Sequence, residues 1–161
     1  MVKSFVSWTL GTGVGAWVHY HTWMFPMGEA LHFVGLSLLV GAVGMVDLRM
    51  LGFAKMLPFA PLHRLIRWGI AGFVINLLTG IMFWTVNADL YGLQVADIFG
   101  LKLLFILLAG INVLVFRYTV FPQVMALGPG EDAPLLAKVI AGTSLFLWAG
   151  VIWWGRMLMF T

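Results

Sequence analysis

Four runs of this chain, about 27–53, 61–86, 98–118 and 134–160, are apolar over lengths that match the thickness of a lipid bilayer. A hydrocarbon core of about 30 Å takes about 20 helical residues to cross. Of the 161 residues, 62% are apolar and 9% are charged, whereas a soluble domain carries roughly a quarter charged residues. The solvent for most of this surface is therefore lipid. In lipid each backbone N–H and C=O must be satisfied within its own segment, which leaves helices as the spanning element. The predicted fold is an all-α membrane protein. It is a four-transmembrane-helix bundle forming one transmembrane domain over 1–161.

Residues 4–23 are too glycine-rich for a fifth span to be the first choice. Trp8, Trp17, Tyr20 and Trp23 are anchors of the headgroup level, so this segment is expected to be an interfacial amphipathic helix. Lys3 is followed by a stretch broken at Gly11, Gly13 and Gly15, which argues against a cleavable leader.

The joints between spans are legible. Pro61 and Pro134 suit first helical turns, and Asp97 is placed to cap the third span. The short link from Met56 to Pro61 makes spans one and two an antiparallel hairpin, and Leu127 to Asp132 reads as a turn. Taking the start of span one as side A, side B collects Arg49, Lys55, Arg64, Arg67, Arg117 and Lys138. The positive-inside rule then puts side B in the cytoplasm and both termini in the periplasm of a bacterial inner membrane. The net charge of +3 is a loop charge facing anionic lipid rather than a nucleic-acid surface.

Ionisable groups inside such a chain are the functional candidates. Glu29 and His32, three apart, share one helix face. This is half of a di-metal motif, but the second copy and two further glutamates are missing. His32 lies about one and a half turns below Pro26, and a neutral imidazole is a good ligand for haem iron, copper or zinc. Lys102 enters and Arg156 leaves the membrane near the same level. Their cations suit haem propionates or a carboxylate ligand. His19 and His21 read as surface histidines, with copper or zinc as their alternative. His63 lies at the opposite end among Arg64 and Arg67, where a second cofactor or an anionic lipid headgroup is the alternative to a solvated rim. Asp47 and Arg49 read as an ion-pair lock. Asn76, Thr79 and Asn112 read as interhelical hydrogen-bonding groups. Intramembrane glycines read first as close packing and second as room for a flat cofactor. With no cysteine, disulfides, thiolate clusters and covalent haem attachment are excluded. No nucleophile–base set and no phosphate-cradling loop is present.

The run from Trp23 through Pro26, Glu29, His32 and Gly35, followed by Asp47-Leu48-Arg49-Met50-Leu51-Gly52, resembles a bacterial membrane family of unknown function with a W-x-x-P-x-x-E-x-x-H…D-L-R-x-L-G pattern. Gly72-Phe73, Thr79-Gly80, Lys102 and Asn112 continue the likeness. More distantly the layout resembles the membrane protoporphyrinogen oxidase and the copper-resistance D proteins. Those families share an early-helix histidine and a later lysine, which map here onto His32 and Lys102. The resemblance implies b-type haem at His32.

These readings combine into a leading expectation. It is haem b on the periplasmic half, with His32 axial, Glu29 supporting it, and Lys102 and Arg156 holding propionates or a quinone-like partner, for electron transfer or haem handling. A non-catalytic subunit of a larger membrane complex, or of a homo-oligomer, is the second expectation. Copper or zinc handling by His19, His21, Glu29 and His32 is the third.

Overall fold

The computed structural model describes residues 7, 8, 11, 13–87, 95–158 and 160, without the side chains of 14–16, 19 and 60. The elements are α1 (Gly13–Tyr20), α2 (Met24–Leu51), α3 (Phe59–Val86), α4 (Ala96–Thr119), α5 (Phe121–Met125) and α6 (Leu135–Met157). The helices α2, α4 and α6, together with α3 from Pro61 onward, are each long and apolar enough to cross a membrane. Among the described residues no strand occurs.

Helix α1 has 8 residues. At 1.5 Å per residue it reaches about 12 Å, well short of a crossing. It packs on α3. The rest of the expected interfacial segment, residues 4–6, 9, 10 and 12, lies outside the described residues.

The helix ends differ from the expected ones for local reasons. Span one stops at Leu51 rather than Phe53 because Gly52 turns left-handed at φ 96°. Its N–H bonds to Arg49 O, and Phe53 N–H bonds to Leu48 O, a glycine-terminated cap that only a residue without Cβ forms cheaply. Asp97 does not cap α4. Val95 holds the cap position, and Asp97 falls in the first turn, where a carboxylate still favours the helix dipole. Between Val120 and Leu135 the chain also forms the short helix α5, which opens with Pro122 in its first turn.

Helix α2 packs along both α3 and α6, and α6 packs along α4. The order across the bundle is α3, α2, α6, α4. Helices α3 and α4 share no extended contact, although Trp84 and Phe99 meet at side A with ring centroids 5.0 Å apart.

Lipid gives helices no hydrophobic reason to associate, so close packing of small residues decides which faces meet. At the α2–α3 crossing a Cβ on Gly35 would lie 2.9 Å from Gly72 O, and one on Gly72 would lie 2.7 Å from Leu39 N. Gly69 sits against Ala42, and Gly150 receives the Phe105 ring. Gly41, Gly44, Gly80, Gly110 and Gly142 have nothing within 4 Å of an added Cβ. The glycines thus divide between those that bring helices together and those that face open space.

The larger buried apolar cluster is at side B, where Val46, Met50, Phe59, Leu62, Val124 and Ala141 are buried together. Arg49 closes that end. It is 0% exposed. Its Nε–H donates to Leu57 O at 2.7 Å, and its two terminal nitrogens donate to Glu131 O at 3.1 Å and Gly128 O at 3.0 Å. Its guanidinium also lies over the Phe59 ring, 5.0 Å from the centroid. The Asp47–Arg49 ion pair expected from the sequence does not form. Two residues apart on a helix the side chains point to different faces, and backbone carbonyls of two loops take the guanidinium instead. The same loops are joined by Gly130 N–H to Lys55 O at 2.8 Å and by Asp132, which bridges Lys55 and Lys138 at 3.2 Å and 2.8 Å.

Candidate intramembrane site

His32 is eight residues into α2, Thr79 seven residues from the end of α3, and Lys102 six residues into α4. At 1.5 Å per residue all three lie about 9–12 Å from the side A ends of their helices. Glycine contacts set the rotation of α2 on α3, and that rotation turns His32 onto Thr79. His32 Nδ1 is 2.7 Å from Thr79 Oγ1. The Thr79 hydroxyl bonds Ile75 O at 2.8 Å, and Asn76 O is 3.3 Å away.

This geometry fixes the imidazole. A threonine hydroxyl has one hydrogen and two lone pairs. When the hydroxyl hydrogen goes to Ile75 O, the oxygen accepts from His32, and in that arrangement Nδ1 carries the proton. Nε2 is then left with a free lone pair. An anchored Nδ1–H beside a bare Nε2 is the arrangement of a metal-ligating or proton-accepting histidine. Phe83 packs on the ring at 5.5 Å between centroids, and Phe25 packs on Phe83 at 5.4 Å. Beyond that pair a groove of about 300 Å³ opens at side A, lined by Val18, Thr22, Phe25, Val86 and Asn87.

Lys102 is half-buried. Its stem lies along α6, with Cε and Nζ each 3.5 Å from where a Cβ on Gly155 would stand. Among the described residues it makes no ion pair. Lys102 therefore shares the depth of His32, with its side chain against α6. Arg156 is not brought in: it is exposed, with its guanidinium over Phe160 at 4.9 Å. Glu29 is half-buried and makes no hydrogen bond to His32 among the described residues.

The other histidines are elsewhere. The His21 Nδ1–H donates to Trp17 O at 3.0 Å, and the ring sits among Trp17, Tyr20 and Trp23. His63 is exposed and 5.6 Å from the Phe121 ring, next to a groove of about 440 Å³ lined by Arg64, Arg67, Trp68 and Ala71. Among the described residues no three His, Asp or Glu side chains gather as a metal set. The side chain of His19 lies outside those described.

Two groups gain importance from the fold. Thr79 is legible from the sequence only as a mid-membrane hydroxyl, and Ser144 carries no signal there. Asn112 does join helices, donating to Ile140 O on α6 at 3.2 Å. Asn76 bonds Gly72 O within its own helix.

Comparison with protein-family models, with curated proteins and with solved structures finds no match for this chain.

Proposed function

We propose that this integral membrane protein binds b-type haem through His32 Nε2 on the side A half, for electron transfer or haem handling. The observation that carries the reading is the 2.7 Å Nδ1–Thr79 bond, which orients the ring and, with the proton on Nδ1, leaves Nε2 as the ligand atom. The donor set offers one axial position: an imidazole, a cation at the same depth on α4, and no atom within 4 Å of where a Cβ on Gly80 would stand. When bound, haem would supply one-electron chemistry. Thr79 would hold the ring in its ligating tautomer, Phe83 would limit its rotation, and Lys102 would pair with a propionate. Nothing in the geometry favours copper or zinc over haem, because His21 and His32 have separate partners.

The distribution of Lys55, Arg64, Arg67, Arg117 and Lys138 at side B supports an inner-membrane orientation with that side in the cytoplasm and both termini in the periplasm. A second reading is a subunit of a larger membrane assembly or of a homo-oligomer, for which α4 offers the most open face of the four spans. This helix buries Ala109 and leaves Leu103, Leu104, Leu107, Ile111 and Leu114 exposed.

The test is the visible spectrum of the full chain purified after expression with ample haem. A Soret band that is lost in His32→Ala and retained in His21→Ala and His63→Ala supports the first reading, and a colourless wild-type protein ends it. Native mass spectrometry in mild detergent decides the second, which a clean monomer overturns.

A further inference from the structure

Asp47, near the side B end of α2, is a carboxyl in the membrane that the outer site does not use. It is 4% exposed. The neighbouring polar side chain on α6 is Ser144, itself 4% exposed. Asp47 Oδ2 is buried with no hydrogen-bond partner, and so is the Nε1–H of Trp148, one turn from Ser144 on the same face of α6.

The charged groups of the packed elements are turned elsewhere. Arg49, on the same helix, is taken up by loop carbonyls. Lys138 on α6 is held by Asp132. Arg64 and Arg67 on α3 are exposed, and Arg117 on α4 lies over Phe121.

A carboxyl withdrawn from water in this way requires a compensating positive species, because an isolated ionised carboxylate is costly in a low dielectric. A calcium ion takes six to eight oxygens, and a magnesium ion takes six. One carboxyl and one hydroxyl make no such shell, but they suffice for a proton.

We propose that Asp47 is an intramembrane proton-binding site that exchanges with water at the side B loops, with Ser144 steadying the carboxylate when the proton leaves. The balance is simple: hydronium gives a proton to Oδ2, the same O–H bond breaks on release, and no electron moves. The path is short. Asp47 is four residues from the end of α2, about 6 Å, and fifteen residues, about 22 Å, from His32. The inference therefore stands independently of haem at the outer site.

The experiment uses the full chain in detergent and in proteoliposomes, with dicyclohexylcarbodiimide as a membrane-soluble reagent for protonated carboxyls. Modification is mapped by mass spectrometry. The expected result is labelling at Asp47 that declines with rising pH along a one-proton curve, is absent in Asp47→Asn, and does not change with sodium or calcium. Ser144→Ala should move the midpoint. Protection by either cation overturns the proposal in favour of a metal site, and an unmoved midpoint overturns the role of Ser144. Infrared difference spectra between low and high pH need no reagent access. A protonated-carboxyl band present in the wild type and missing in Asp47→Asn supports the proposal, and identical spectra overturn it.

Discussion

His32 and Thr79 are joined across the α2–α3 interface by a 2.7 Å hydrogen bond, and the threonine hydroxyl also lies 2.8 Å from Ile75 O of its own helix. The pair sets the direction of the imidazole, and with the threonine hydrogen on Ile75 O the imidazole proton sits on Nδ1.

Replacing Thr79 with valine keeps the shape and removes the acceptor. The Nδ1–H is then stranded, which costs about 1–3 kcal/mol when the group is buried. Thr79→Val should unfold earlier in a detergent melt than the wild type, while Thr79→Ser should recover most of the loss. Equal melting of all three would refute the bond's importance.

Arg49 holds three carbonyls from two loops. Arg49→Ala should be severely destabilising, by about 3 kcal/mol or more, because it removes charge-assisted bonds and leaves buried acceptors unpaired. Arg49→Lys should recover little, since an ammonium lacks the planar fork. Limited proteolysis should show residues 52–58 and 127–133 becoming accessible together, because a single side chain ties both.

Glycine substitutions separate packing from exposure. Gly72→Ala places a methyl group against the backbone of Gly35 and Leu39, so α2 and α3 must move apart, and a loss of about 1–3 kcal/mol is expected for overpacking. Gly110→Ala meets nothing within 4 Å and should be neutral or slightly stabilising, since alanine is the better helix former by up to about 1 kcal/mol. Thermal melts of the two variants in one detergent make the comparison.

The loop carboxylate Asp132 gives a pH signature. The Lys138 and Lys55 ammonium groups bonded to it hold its carboxyl below the usual carboxylate value. A carboxyl lowered in the folded state adds stability above its unfolded pKa and loses it as pH falls through the folded value. Wild type should therefore exceed Asp132→Asn in melting temperature near neutral pH, and the two should converge in acid. The gap should also shrink with added salt, because these groups are exposed. A gap that persists in acid would contradict this assignment.

A large part of this protein was written in its sequence. Long apolar runs in a chain with little charge leave helices as the only way to satisfy the backbone in lipid, and Gly52 and the prolines mark where they end. The depths of His32, Lys102 and Asp47 follow by counting residues along each helix. What the sequence did not determine was rotation. The spans are apolar on nearly every face, so no stripe marks the inside, and the direction of each side chain depends on which small residues meet. Contact between Gly35 and Gly72 turned His32 to Thr79 rather than Glu29. The packing of α6 against α2 set Asp47 near Ser144, and loop closure gave Arg49 to carbonyls rather than to Asp47. Hydrophobicity along the chain chose the elements, while close packing between helices chose the partners, because in a bilayer only van der Waals fit and hydrogen bonding distinguish one helix face from another.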